Sequence, residues 1–241
     1  MLKKGISHIS WEKEMISDNI KKIKEDIFNA CIKSGRDFSK IEIVGVTKTV
    51  KEDKILCAIN EGITHVGENR VQEYLSKYDF YKANNLKTSI IGHLQTNKVK
   101  YIIDKADLIQ SVDSFHLAEE ISKQALKHNT TMDILVEINI GDEESKSGVS
   151  FSEVDEITHR ISELPGIFIK GLMSIPPVFT DEITARGYFQ KLYKIYIDIM
   201  GKKRDNICMD ILSMGMSSDY LLAIEEGSNM VRIGRGIFGE R

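Results

Sequence analysis

Two parts of this sequence carry the chemistry of a covalent ligand site: a lysine that closes an apolar run near one end, and serine- and glycine-rich segments near the other. Ile41-Glu-Ile-Val-Gly-Val-Thr-Lys48 is rich in β-branched residues and has no helical period. It is bounded by Lys40 and by Lys51-Glu-Asp-Lys54, so a buried strand ending in an amine is predicted. A buried ammonium must be paired, neutralised or used, and lysine loses its proton readily when desolvated. By itself Lys48 reads either as a surface lysine whose stem packs on the strand end, the commoner case, or as a nucleophilic amine.

At the other end, Ser213-Met-Gly-Met-Ser-Ser-Asp-Tyr220 closes one predicted strand and opens a helix, which aims the N–H groups near Ser217 and Ser218 at one spot. That is a seat for an anion. Both serines could instead be helix N-caps, and for Ser218 that reading is preferred. Gly234-Arg-Gly-Ile-Phe-Gly239 fits the G-x-G-x-x-G pattern, but neither a helix nor a later acid for a ribose is expected before Arg241. The glycine amides are therefore assigned to the same phosphate seat. A phosphate seat beside a strand-end lysine suits an aldehyde phosphate whose carbonyl reaches the amine, and pyridoxal phosphate is the cofactor that needs this pair.

The elements that must bring these residues together alternate regularly. Ile16, Ile20, Ile23, Ile27 and Ala30 recur at helical spacing ahead of Gly35, which predicts an amphipathic helix over about 10–34. Strands are then expected at 41–48, 65–69, 89–93, 108–112, 133–140, 167–174, 211–215 and 230–234. Helices are expected at 51–61, 70–81, 97–104, 114–128, 151–164, 181–200 and 219–226, with a polar connection over 141–150. Eight strands, each but the last followed by a helix, predict a single (β/α)8 TIM barrel over about 41–239, in one domain spanning 1–241. An open doubly wound sheet is the alternative, but it rarely uses eight such evenly spaced units. In the barrel the strand C-termini share one mouth, which gathers Lys48, Asn69, His93, Ser111, Asn139, Met173, Ser174, Ser213 to Ser217, Gly234 and Arg235. These residues include no His/Asp/Glu triplet with metal-ligand spacing, and His93 alone is more often structural than a general base.

The composition narrows the context. Of 241 residues 41% are hydrophobic and 29% charged, with net charge -3, and the lysines are interleaved with acids, so no dedicated nucleic-acid face is expected. Cys31, Cys57 and Cys208 are odd in number and widely spaced, as for reduced thiols in a cytosol. Met1-Leu-Lys-Lys-Gly-Ile-Ser7 leads into no apolar segment, and no run reaches the roughly 18 apolar residues of a membrane span. A cytoplasmic protein is expected.

Val44-Gly-Val-Thr-Lys48, His65-Val-Gly-Glu-Asn-Arg-Val-Gln-Glu73, Ile91-Gly-His-Leu-Gln-Thr-Asn-Lys98, Gly171-Leu-Met-Ser174, Leu212-Ser-Met-Gly-Met-Ser-Ser-Asp219 and Val231-Arg-Ile-Gly-Arg-Gly-Ile-Phe-Gly239 together resemble the pyridoxal phosphate homeostasis protein family. The resemblance runs from the first strand to the C-terminus. It implies a fold-type III barrel similar to the N-terminal domain of alanine racemase, with pyridoxal 5'-phosphate held as a Schiff base on Lys48. It also implies that Ser217, Gly234 and Arg235 contact the phosphate, the last two through backbone N–H, that Arg232 faces the pyridine nitrogen, that Ser213 belongs to the cofactor site, and that Asn69 and Met173 line the pocket. A cation opposite that nitrogen disfavours its protonation and weakens the ring as an electron sink. Alanine racemase tolerates the same arginine but adds a C-terminal β domain with a tyrosine base.

What the resemblance implies is a carrier or regulator in vitamin B6 and amino-acid homeostasis, without efficient catalysis. It would act as a monomer, with pyridoxal phosphate-dependent apoenzymes as possible recipients. Two alternatives stay open: a slow fold-type III enzyme acting on an amino acid, and a barrel with an unrelated phosphorylated ligand.

Overall fold

The first helix shows how apolar spacing becomes architecture. In the computed structural model, which describes residues 3–141, 143, 147–179 and 181–240 (for 3–10 the helical backbone alone), α1 runs Lys3–Ser34. Ile16, Ile20, Ile23 and Ile27 form one buried stripe along it. Each such side chain, removed from water, contributes about 2 kcal/mol. The helix ends where Gly35 turns left-handed at φ +68°, with the Arg36 N–H donating to Cys31 O at 2.9 Å.

The β-branched runs form β1 Glu42–Val46, β2 His65–Glu68, β3 Lys87–Ile90, β4 Leu108–Val112, β5 Met132–Asn139, β6 Val149–Ser150, β7 Ile167–Ser174, β8 Ile207–Met216 and β9 Met230–Ile233. The sheet order is β4-β3-β2-β1-β9-β8-β7-β5-β6, and a further β4–β5 pairing joins its ends. Eight parallel strands therefore close into a barrel. The two-residue β6 is the exception. It pairs only with the mouth end of β5, Ile138 with Val149 and Asn139 with Ser150.

Side chains alternate across the closed sheet. Val44, Leu108, Leu135, Met173 and Met230 meet inside the barrel. The outward-facing residues join one large apolar layer beneath the helices. Those helices are α2 Glu52–Asn60, α3 Val71–Ala83, α4 Phe115–Lys127, α5 Val154–Ser162, α6 Glu182–Met200, α7 Tyr220–Glu225 and α8 Arg235–Phe238. The amphipathic α1 packs on α2, α7 and α8, the side of the barrel where the first and last strands meet.

Several boundaries differ from the sequence expectation. The first strand stops at Val46, and Lys48 sits in the turn that follows. The helix expected at 97–104 is a 3-10 segment, Thr96–Tyr101, and the last helical turn α8 exists where no helix was anticipated. Four residues, each of them at or beside a glycine, are too short a run to show periodicity. Val149–Ser150 is a strand inside the predicted polar connection, of which residues 142 and 144–146 lie outside the described residues.

Ile27 is fully buried in the stripe that fastens α1. Ile27→Ala is expected to lower the unfolding free energy by about 3 kcal/mol, read as a lower urea midpoint at unchanged slope.

Candidate functional site

Pairing of β1 with β9 puts Val44 opposite Arg232 and Gly45 opposite Ile233. Both chains leave the sheet at the same level, so the turn after β1 and the turn after β9 are neighbours. Between them lies a cleft of about 380 Å³ lined by Val46, Lys48, Met216, Ser217, Ser218, Arg232, Gly234, Arg235 and Glu240. Lys48 is half-buried there.

The backbone on either side of Lys48 is held by a buried charge cluster from the His65–Glu73 motif. Glu68, 1% exposed, accepts through Oε1 from Thr47 Oγ1 at 2.8 Å, Tyr81 OH at 2.7 Å and Lys77 Nζ at 2.9 Å. Lys77 Nζ also donates to Thr47 O at 2.8 Å and to Glu73 Oε1 at 2.7 Å, and Glu73 Oε1 accepts from the Thr49 N–H at 2.5 Å. Thr49 itself takes a left-handed backbone, φ 61°. Burial, helped by the Glu68 carboxylate, pushes the Tyr81 phenol far above its usual range, so it acts as a donor. Lys48 is thus carried on a turn anchored from both sides.

Opposite the lysine, Ser217 Oγ accepts from the Gly234 N–H at 3.3 Å and the Gly236 N–H at 3.0 Å. A Cβ on Gly236 would sit 2.9 Å from Ile233 Cγ2, so a glycine keeps this approach open. Neither Ser217 nor Ser218 caps α7, which corrects the N-cap reading of Ser218. Asp219 holds the cap position, and its Oδ1 accepts from the Met216 N–H at 2.5 Å. Ser217 is thereby left to gather backbone amides from the segment after β9.

Arg232 is the buried cation of the site, 3% exposed. Nη1 donates to Ser213 Oγ at 2.6 Å and Nη2 to Ser174 O at 2.9 Å, and among the described residues no carboxylate pairs with it directly. Burial pulls its pKa down to about 10, against the upward pull of Glu137 and Asp219.

Glu137 was not anticipated from the sequence. It lies on the inner side of β5, two residues beyond the core residue Leu135, and is 7% exposed. Burial, and after it the Asp113 charge, push its carboxyl up to about 7, while Arg232 and His93 oppose the rise. The signal was present: a charged residue at an inward position, flanked by the apolar Ile134 to Val136 and Ile138, marks a group kept for its chemistry or its field.

Of the residues singled out from sequence, Lys48, Ser217, Arg232, Gly234 and Arg235 share the cleft. Arg235 extends to the surface, 3.8 Å from Glu240. Ser213 is fully buried behind Arg232, and Met173 lies in the inner apolar layer. Asn69 lines a neighbouring cleft with His93, Gln95 and Lys98, and His93 Nδ1 pairs with Asp113 Oδ2 at 2.9 Å. No group of His, Cys, Asp and Glu among the described residues could hold a metal ion.

Lys77→Met would leave Glu68 buried without its counter-charge, with an expected loss of about 3–5 kcal/mol in chemical unfolding. Glu137 contributes with the opposite sign. Its folded pKa is raised from 4.5 to about 7, so its favourable contribution is complete below pH 4.5 and is lost as pH rises through 7. Glu137→Gln is therefore expected to stabilise the protein by up to about 3 kcal/mol at pH 8 and to change little at pH 4, in paired thermal melts.

The chain is similar to known proteins in both sequence and fold. The family model described as alanine racemase, N-terminal domain, matches residues 35–241. The pyridoxal phosphate homeostasis protein of Aquifex aeolicus is 42% identical over 224 residues, 93% of this chain and 97% of that protein. A crystal structure of an unknown protein from Bifidobacterium adolescentis superposes with TM-score 0.91 at 34% identity, covering 94% of this chain and 96% of that one. PipY of Synechococcus elongatus PCC7942, solved with PLP bound, has TM-score 0.80 at 25% identity, covering 93% of this chain and all (100%) of that one.

Proposed function

As a member of the pyridoxal phosphate homeostasis protein family, we propose, this chain holds pyridoxal 5'-phosphate covalently through Lys48 and serves in vitamin B6 and amino-acid homeostasis without efficient catalysis. The observation that carries the reading is the shared cleft, in which a half-buried primary amine lies with Ser217, whose hydroxyl oxygen already gathers the Gly234 and Gly236 N–H groups. These residues fit the cofactor: the amides and Ser217 suit a phosphate, and Lys48 is the amine of the cleft that lies on the anchored turn. PipY, a structural neighbour, was solved with PLP bound.

When bound, the cofactor supplies an aldehyde that condenses with an amine and a ring that can accept electrons. Lys48 Nζ would be the amine that meets the aldehyde. Ser217 Oγ and the Gly234 and Gly236 N–H groups bind the phosphate, and the Arg235 guanidinium adds charge at the rim. Arg232, which lines the cleft, would disfavour protonation of a ring nitrogen held beside it, because a second positive charge next to a buried guanidinium is unfavourable. That favours holding the ligand over carbanion chemistry. Asn69, which lines the neighbouring cleft, and Met173, in the inner apolar layer, would border the ligand from beyond the residues that line the cleft. No helix among the described residues is long and apolar enough to cross a membrane. On this reading the chain is one domain over 1–241, works in the cytoplasm as a monomer, and passes its cofactor to apoenzymes.

A second reading is a slow fold-type III enzyme acting on an amino acid: Glu137 is a buried carboxyl on the inner side of β5 within the field of Arg232, and burial pushes it up to about 7, where a group can give or take a proton. Interconversion of alanine or serine enantiomers at about 1 per second or faster would decide for the enzyme. The covalent assignment is tested by loading the protein, reducing with borohydride and mapping the adduct by mass spectrometry. A pyridoxyl group on Lys48 is expected, and its appearance on another residue, or on none, refutes the assignment. Lys48→Ala should lose the visible absorption band and keep weaker, phosphate-driven binding.

A further inference from the structure

Arg232 begins a chain of hydrogen bonds that crosses the barrel interior. Its Nη1 donates to Ser213 Oγ at 2.6 Å, and Ser213 Oγ donates to Gln110 Oε1 at 2.8 Å. Gln110 Nε2 donates to Ser89 Oγ at 3.0 Å. Ser89 Oγ lies 2.7 Å from His65 Nε2, and His65 Nδ1 lies 2.9 Å from Glu42 Oε1. Each link sits on a different strand, in the order β9, β8, β4, β3, β2 and β1. Ser213 and Gln110 are fully buried, and Ser89 and His65 nearly so.

The direction of every hydrogen follows from one end. A guanidinium can only donate, so Ser213 accepts from it and must give its own hydrogen to Gln110 Oε1. The amide then presents its NH2 to Ser89. Having accepted, Ser89 donates onward to His65 Nε2, which places the imidazole proton on Nδ1, where Glu42 accepts it. A reversed amide would leave the Ser213 hydrogen without an acceptor in the core, which is costly. All donors therefore point from the cation toward a carboxylate at the other end of the barrel, an arrangement in which aligned bonds strengthen one another.

We propose that Gln110, which does not line the cleft, is a positioning residue for Arg232: through Ser213 it fixes where the guanidinium stands and so the charge that a bound ring meets. The consequence for the ligand rests on the cofactor reading above; the consequence for the guanidinium does not. The two are separated by experiment.

In the unliganded protein the Arg232 Nη hydrogens are expected to be resolved by nitrogen-edited NMR and slow to exchange. Gln110→Met, nearly isosteric but apolar, should speed that exchange by about fivefold, the scale of one hydrogen bond between neutral groups. Gln110→Glu keeps the acceptor for Ser213 and should restore slow exchange. With pyridoxal phosphate added, Gln110→Met should shift the visible band of the bound ligand and its pH profile, and Gln110→Glu should bring both back toward the wild type. Were Gln110→Met to unfold, Ser89→Ala carries the same comparison one link further along. Unchanged exchange and an unchanged spectrum in a folded variant overturn the proposal, as does equal behaviour of the Met and Glu variants. If the wild type takes up no pyridoxal phosphate, the cofactor reading fails and the exchange measurement alone decides the role of Gln110.

Discussion

Pairing of the first strand with the last is the constraint on which this protein depends. The ladder from Glu42↔Met230 to Gly45↔Ile233 sets residues from opposite ends of the chain at the same height in one sheet. A slip of one residue would turn Arg232 from the barrel interior to the apolar layer under the helices, where no partner awaits a guanidinium. The same pairing brings the turn bearing Lys48 against the glycine segment after β9. The buried stripe of α1, which lies against α2, α7 and α8, covers this junction from outside.

Charge is buried on both sides of the cleft, in two different ways. Behind Lys48, Glu68 and Lys77 are paired at 2.9 Å, Lys77 also meets the Glu73 carboxylate, and further bonds to backbone and hydroxyl groups tie the cluster to the turn it holds. Behind Arg232 the cation meets only neutral oxygens, Ser213 Oγ and Ser174 O, and its nearest countercharges act at a distance. The first arrangement fastens a backbone. The second leaves a positive field facing the cleft, unquenched by a direct ion pair, which suits a site that receives an anionic ligand.

Much of this was readable beforehand. The β-branched runs and the isoleucine stripe are local patterns with a fixed period, and they marked the strands to within a few residues and α1 from about residue 10 to its end, while the helix itself starts at Lys3. Lys48 stood out because an apolar run ended in an ammonium, and Ser217 and Gly234 because their residue types suit close approach to an anion. Short features escaped: α8 is a single turn, β6 has two residues, and the segment at Thr96–Tyr101 is 3-10 rather than α-helical. Ser218 was read as a cap, whereas Asp219 holds that position with its side chain turned back to Met216.

By itself, then, the chain's order of residues determined the alternation of strands and helices, the closed parallel barrel, and the chemical types gathered at its mouth, because each of these follows from periodicity or residue chemistry within a short window. Only the tertiary structure decided which of those residues share one cleft, that Glu137 is held near neutrality, and that Ser213, Gln110, Ser89 and His65 link Arg232 to Glu42 across the interior. The reason is physical. Desolvation and hydrogen-bond direction depend on what surrounds a group in three dimensions, and those neighbours come from strands far apart in the chain.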